Sequence, residues 1–191
     1  MNPLLLAGIY LFKLIAYSYL YLLTIRFWLQ KCRVNYFNPL SQLIIKCTNP
    51  VIKPVRYVIP GYKGFDLAIL FLMIILQWLI IVMLTFFSAG DFPAFVASFL
   101  SAVVALATLN CDLFVVLVIV SALSSWFPTL QRHPAVEIVS KLVSPLLVKV
   151  RRHVPLVGGM DFSPVVVIVS FHLLSILVLT PLMSVFLQLS R

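Results

Sequence analysis

Two charged side chains, Lys13 and Asp112, fall inside stretches that are otherwise apolar. Charge is expensive in a hydrocarbon setting, so such residues are usually paired or functional. Lys13 stands nine residues beyond Leu4 and Asp112 thirteen beyond Phe99, so on parallel helices they would differ in height by about one turn. A salt bridge between them is the first expectation. The alternatives are a helix cap formed at Asn110-Cys111-Asp112 and a proton or ion path. His172 is the one histidine within an apolar span. A hydrogen bond to a neighbouring helix is its expected role, rather than ligation of haem or metal.

No nucleophile paired with a base, Gly-rich phosphate loop, metal cluster or dinucleotide motif is visible. Cys32, Cys47 and Cys111 make an odd count without CxxC spacing, which supports neither a metal site nor a disulfide framework. No catalytic, cofactor-binding or metal-ligating residue is therefore assigned. The chain is expected to be non-enzymatic and to carry no cofactor.

A second set of charges recurs. Arg56 precedes Asp66, and Arg151-Arg152 precedes Asp161, in two segments rich in proline. Each aspartate sits where a helix should begin, so it would cap that helix. Alternatively Asp66 pairs with Arg56 and Asp161 with Arg151; direct contact with a ligand or ion is a further option.

These residues need elements to hold them, and composition says in which solvent those elements lie. Of the 191 residues, 63% are apolar and 10% charged, and the mean hydropathy is +1.14. A soluble domain of this length needs more charge to cover its surface. The 14 Lys and Arg outnumber the 5 Asp and Glu, and twelve of the 14 lie between Arg26 and Asp66 or between Arg132 and Asp161. Basic segments beside apolar spans are topology signals, so nucleic acid is not an expected partner. Met1 to Phe12 has no basic stretch and no cleavage motif, so a cleavable signal peptide is not expected there.

Apolar spans are predicted at about 4–29, 67–87, 99–124 and 165–187, with Tyr10, Tyr17, Tyr19, Tyr21 and Trp28 as candidate interfacial anchors. Shifting the chain by 95 residues superposes Pro39, Lys46, Pro50, Val55, Arg56, Pro60, Gly64 and Asp66 on Pro134, Lys141, Pro145, Val150, Arg151, Pro155, Gly159 and Asp161. That is eight identities in 28 ungapped positions, where chance supplies roughly one or two. The chain is a tandem duplication. Repeat 1 covers 1–91 with loop 30–66, and repeat 2 covers 92–191 with loop 128–161. The fold class is an all-α membrane protein of two helix–basic loop–helix units, with about four transmembrane helices. Four spans put both basic loops on one side, expected to be the cytoplasmic one.

Within each loop Pro39 and Pro134 suit a helix start. Leu40, Leu43, Ile44 and Cys47, and then Ala135, Ile138, Val139 and Leu142, recur at helical spacing. Each loop should hold an amphipathic helix of about ten residues, lying in the headgroup plane or packed on the other repeat. The later prolines are expected to break it, with Gly61, Gly64, Gly158 and Gly159 forming the turns. Arg56, Arg151 and Arg152 would touch anionic headgroups or acidic partners, or serve only as topology anchors.

The string from Ser144-Pro145-Leu146-Leu147 through Arg151-Arg152, Pro155 and Gly158-Gly159-Met160-Asp161-Phe162-Ser163-Pro164 resembles the YggT family of small bacterial membrane proteins, which has chloroplast relatives. Asn38-Pro39-Leu40-Ser41-Gln42 through Pro60, Gly64 and Asp66 resembles it too. Tyr57 stands where the family usually has a second Arg, and Lys149 where it usually has Pro. The resemblance implies a bacterial cytoplasmic membrane protein linked to osmotic or ionic stress tolerance, to division, or to membrane and cytochrome assembly. It points to a scaffold or assembly factor that contacts anionic lipid, a protein partner or another copy of itself. A small oligomeric potassium or proton channel is the alternative.

Overall fold

A computed structural model describes residues 3–61, 66–127, 129–154 and 161–189. Gly64, Pro155 and Gly159, like Gly158, lie outside the described residues. Helices α1 (Pro3–Lys31), α2 (Pro39–Val58) and α3 (Leu67–Ala89) make the first repeat. Helices α4 (Phe95–Ser125), α5 (Pro134–Arg151), α6 (Ser163–Leu174) and α7 (Thr180–Leu189) make the second. A five-residue π-helical segment, Ser175–Leu179, joins α6 to α7, so 163–189 runs on as one span. Among the described residues no strand occurs.

Four of these helical runs are long and apolar enough to cross a membrane: Pro3–Lys31, Leu67–Ala89, Phe95–Ser125 and Ser163–Leu189. Backbone groups in lipid must be satisfied internally, and uninterrupted helices do that. Their hydroxyls fold back in the same way, as where Thr24 donates to the Leu20 carbonyl at 2.8 Å and Ser101 to Ala97 at 2.8 Å. Gly90 ends α3 at φ +82°, a conformation that L side chains rarely adopt. The whole of 95–125 is one helix, about 46 Å long at 1.5 Å per residue.

α4 is the axis of the bundle. It packs on α3 from the first repeat and on α5, α6 and α7 from its own. Its first turns bury the small residues Ala97, Ser98, Ser101 and Ala102, which lets a neighbouring helix come close. Trp78 of α3 donates to Ser98 Oγ there at 3.0 Å. A second link between the repeats is Trp28 of α1, which donates to Asn110 Oδ1 at 2.8 Å and meets the Phe114 ring edge-on.

α2 runs for 20 residues and α5 for 18, well past the expected ten. Pro50, Pro54 and Pro145 lie inside them and break neither. Each proline lacks an N–H and leaves one carbonyl four residues back without its donor. All three prolines are on the exposed side, where the loss is cheapest. The opposite side of α2 buries Ser41, Ile45, Thr48 and Ile52, a continuous helical stripe, and it packs against α1 and α3. Burial along that stripe holds the helix together where local propensity would end it.

Candidate functional site

Both loop helices sit at the same end of the bundle and touch each other. The joint is Asn38. Its Oδ1 accepts the Leu40 amide at 3.0 Å and so caps α2, while its Nδ2 donates to the Pro134 carbonyl at 2.9 Å and to Glu137 Oε2 at 3.1 Å. Glu137 also accepts from Lys141 at 3.0 Å. Donation from Lys141 and then Asn38 draws its carboxyl below the usual range. Sequence reasoning assigned no role to Asn38, because its partners come from the other repeat.

The recurrent Arg–Asp residues meet in both repeats. Arg56 Nε donates to Asp66 Oδ2 at 2.9 Å, and its Nη2 donates to the same oxygen. Asp66 Oδ1 accepts the Ile69 amide at 3.3 Å and caps α3. In the second repeat Arg151 Nε and Nη2 both reach Asp161 Oδ2 at 2.7 Å. Asp161 Oδ1 accepts the Ser163 amide at 2.9 Å. Capping and pairing, expected from sequence as alternatives, coexist at Asp66 because a carboxylate has two oxygens. At Asp161 the two oxygens serve Arg151 and the Ser163 amide, while α6 has no side-chain cap bond at its N-cap Phe162. Partial burial alone would raise the Asp161 carboxyl, but donation from Ser163 and Arg151 outweighs it and holds the group below the ordinary carboxylate range. Each pair ties the end of a loop helix to the foot of the next span.

The other motif residues surround these joints. Pro39 and Pro134 begin α2 and α5, and Lys46, Pro50, Pro60, Pro145 and Arg152 are exposed. Tyr57, in the position of a second arginine, is 91% exposed.

The intramembrane charges differ from expectation. Lys13 and Asp112 form no ion pair among the described residues, and Lys13 faces outward. Nor does Asn110-Cys111-Asp112 cap a helix, since α4 runs through it unbroken. Asn110 is held instead by Trp28, and it donates to the Leu106 carbonyl at 2.8 Å. His172 is exposed, and its Nδ1 lies 3.1 Å from its own helix's Ile168 carbonyl rather than against a neighbour.

Asp112 borders a cavity of about 460 Å³ lined by Tyr17, Tyr21, Gln77, Thr108 and Thr180, near mid-height of the bundle. Two of the tyrosines expected at an interface, Tyr17 and Tyr21, are half-buried along this hollow. Gln77 is 1% exposed and its Oε1 has no partner among the described residues. The π-helical turn forms part of this wall through Leu179. Pro181 explains the turn: it cannot donate to Leu177, its ring presses on that carbonyl, and a wider turn absorbs both. No cluster of three or more His, Cys, Asp or Glu able to hold a metal ion occurs among the described residues.

The CCB3/YggT family model matches residues 5–87 and again 100–182, two segments offset by the same 95 residues as the sequence repeat. An uncharacterised protein of Pseudomonas aeruginosa is 32% identical over 177 residues, 92% of this chain and 90% of that one. The protein YggT of Escherichia coli is 33% identical over 159 residues, covering 82% of this chain and 81% of its own. A Haemophilus influenzae protein is 35% identical over 145 residues, 76% of each. No solved structure matches. With the duplication, the four spans and the paired loop ends in place, the chain belongs to the CCB3/YggT family of multi-pass membrane proteins.

Proposed function

We propose that this protein is a non-enzymatic scaffold or assembly factor of the bacterial cytoplasmic membrane, working in membrane assembly or stress tolerance. Its platform is the joined pair α2 and α5, turned to the cytoplasm and resting at headgroup level. The observation that carries this reading is the Asn38 bridge, which fixes both basic helices side by side at one end of the bundle. Exposed Lys46, Lys53, Lys149, Arg151 and Arg152 then form one cationic face, suited to anionic headgroups or an acidic partner. A scaffold needs rigid, charged, joined elements and no reacting group.

Photo-crosslinkers placed at Tyr57 and His153 in living cells test it. Capture of one defined protein at both positions, lost on combined Arg151→Glu and Arg152→Glu replacement, is the expected result. Empty crosslinks at both would sink the scaffold reading.

The cavity beside Asp112 favours a second reading, passage of a proton or small cation. An unpaired carboxylate, a buried Gln77 and a π-helical wall at mid-height are what such a path requires. Flux into liposomes that disappears with Asp112→Asn would support it, and no flux above empty vesicles would remove it.

A further inference from the structure

A smaller cavity of about 270 Å³ lies between α1 and α2, lined by Arg26, Gln30, Tyr36, Ser41 and Arg56 against apolar walls. Two arginine side chains therefore line one space. The carboxylate nearest to them, Asp66, is already engaged on both oxygens, by Arg56 and by the Ile69 amide. Arg26 interacts with Arg56, Asp66 and Tyr36 only through space. Its Nε is buried with no hydrogen-bond partner among the described residues. Ser41 is 2% exposed, and its Oγ is equally without a partner. A buried donor left unpaired is costly, so two of them in one cationic cavity call for an acceptor that carries negative charge.

The duplication supplies an internal control. Ser121, Ser125, Gln131 and Val136 occupy the places of Arg26, Gln30, Tyr36 and Ser41, and they line the equivalent cavity of the second repeat. That cavity holds Glu137 and Lys141, which pair with each other. Arg151, the counterpart of Arg56, lines an adjacent hollow with Ser121, Ser125 and its own partner Asp161, so neither hollow of the second repeat holds two arginines.

We propose that the first repeat binds a phosphate oxyanion in the α1–α2 cavity, held by Arg26 and Ser41 with Arg56 at its rim. A guanidinium edge presents parallel donors to such a group. Ser41 and Tyr36 line the same space and bring hydroxyl donors from outside α1, and a phosphate has more acceptor oxygens than a carboxylate to take them. The cavity is slightly smaller than the about 300–1,000 Å³ of drug-sized ligand sites, a fit for a headgroup fragment. It also lies at the loop end of α1, where Lys31 closes the helix, so a phospholipid phosphate and a free phosphate both have access. The site rests on the platform reading only for that headgroup depth.

The test is native mass spectrometry of the full purified chain, titrated in separate arms with phosphatidylglycerol, with diacylglycerol and with inorganic phosphate. Arg26→Ser copies the residue of the second repeat, and Ser41→Val copies its Val136. The expected result is one tightly held phosphate-bearing molecule per chain, weakened about ten- to a hundredfold by Arg26→Ser. Ser41→Val should weaken it less, and Arg151→Gln should leave it unchanged. Phosphatidylglycerol alone identifies a lipid source, and inorganic phosphate a soluble one. Should Arg26→Ser fail to fold, Ser41→Val decides. Equal retention of diacylglycerol, or retention indifferent to both Arg26 and Ser41, overturns the site. The crosslinking experiment uses α5 and Tyr57 instead, so either idea can fail without the other.

Discussion

In the first repeat the arginine–aspartate joint has a buried carboxylate, with the Asp66 side chain 3% exposed under an Arg56 that is 37% exposed; in the second the Asp161 side chain is 26% exposed and Arg151 is 55% exposed. The same motif at the same spacing thus carries two energetic weights. Taking one partner from a buried pair strands a charge that water cannot reach, whereas an exposed pair is screened whether or not it forms. The cavities above the joints diverge in parallel, cationic beside α1 and neutralised beside α4. Duplication supplied two hinges of one design, and burial turned the first into a structural and binding element.

The sharpest way to break that comparison is to cut both joints. Arg56→Gln should cost about 3 kcal/mol, while Arg151→Gln should cost less than about 1 kcal/mol, read by denaturant unfolding in detergent micelles. Equal losses would mean that exposure does not set the difference. The bridge between repeats comes next. Asn38→Ala removes a helix cap and two bonds to the second repeat, for a loss of about 2 kcal/mol. His133→Ala, at the equivalent cap, loses only the contact to the Ala135 amide and should cost about 0.5 kcal/mol.

Copying one repeat into the other gives a smaller effect of opposite sign. Pro54→Lys, which places the lysine of position 149 at its counterpart in the first repeat, restores a donor to the α2 ladder and should stabilise by about 1 kcal/mol. A loss there would show that α2 depends on its proline geometry.

The smallest effect is that of pH. Asp161 and Glu137 have carboxyls held below their ordinary range. Their contribution is present above the unfolded values of about 4 and is lost as pH falls through the lowered ones. The thermal midpoint should therefore dip only in strong acid, and Arg151→Gln should flatten part of the dip. A dip unchanged by that replacement would detach it from the second joint.

Much of the fold was legible because apolar runs long enough for a bilayer leave few alternatives. Leu67 to Phe87 has no charge and is one span, and Pro39 and Pro134 start helices as their fixed φ suggests. Local rules failed where a tertiary force opposed them. Pro50, Pro54 and Pro145 read as breaks, yet each sits on an exposed side while the opposite stripe is buried. The expected Lys13–Asp112 bridge failed for a related reason. Equal height on two helices says nothing of which way each side chain turns: Lys13 faces outward, and Asp112, itself exposed, stands at the edge of the hollow beside α7. Arg26 is only one more basic residue of the first segment in the sequence, because Ser41 and Arg56 come to line one cavity with it only once α2 lies along α1.

The sequence by itself determined the class, the duplication, the four spans and the arginine and aspartate that close each loop. Those follow from transfer free energy and repeat statistics, which act along the chain. Only the tertiary structure decided which carboxylate is buried, that Asn38 joins the loop helices, and that two arginines line one hollow of the first repeat. Each of these depends on side chains from separate helices sharing a low-dielectric space. Their interaction energy is set by the packing between helices, not by their spacing along the chain.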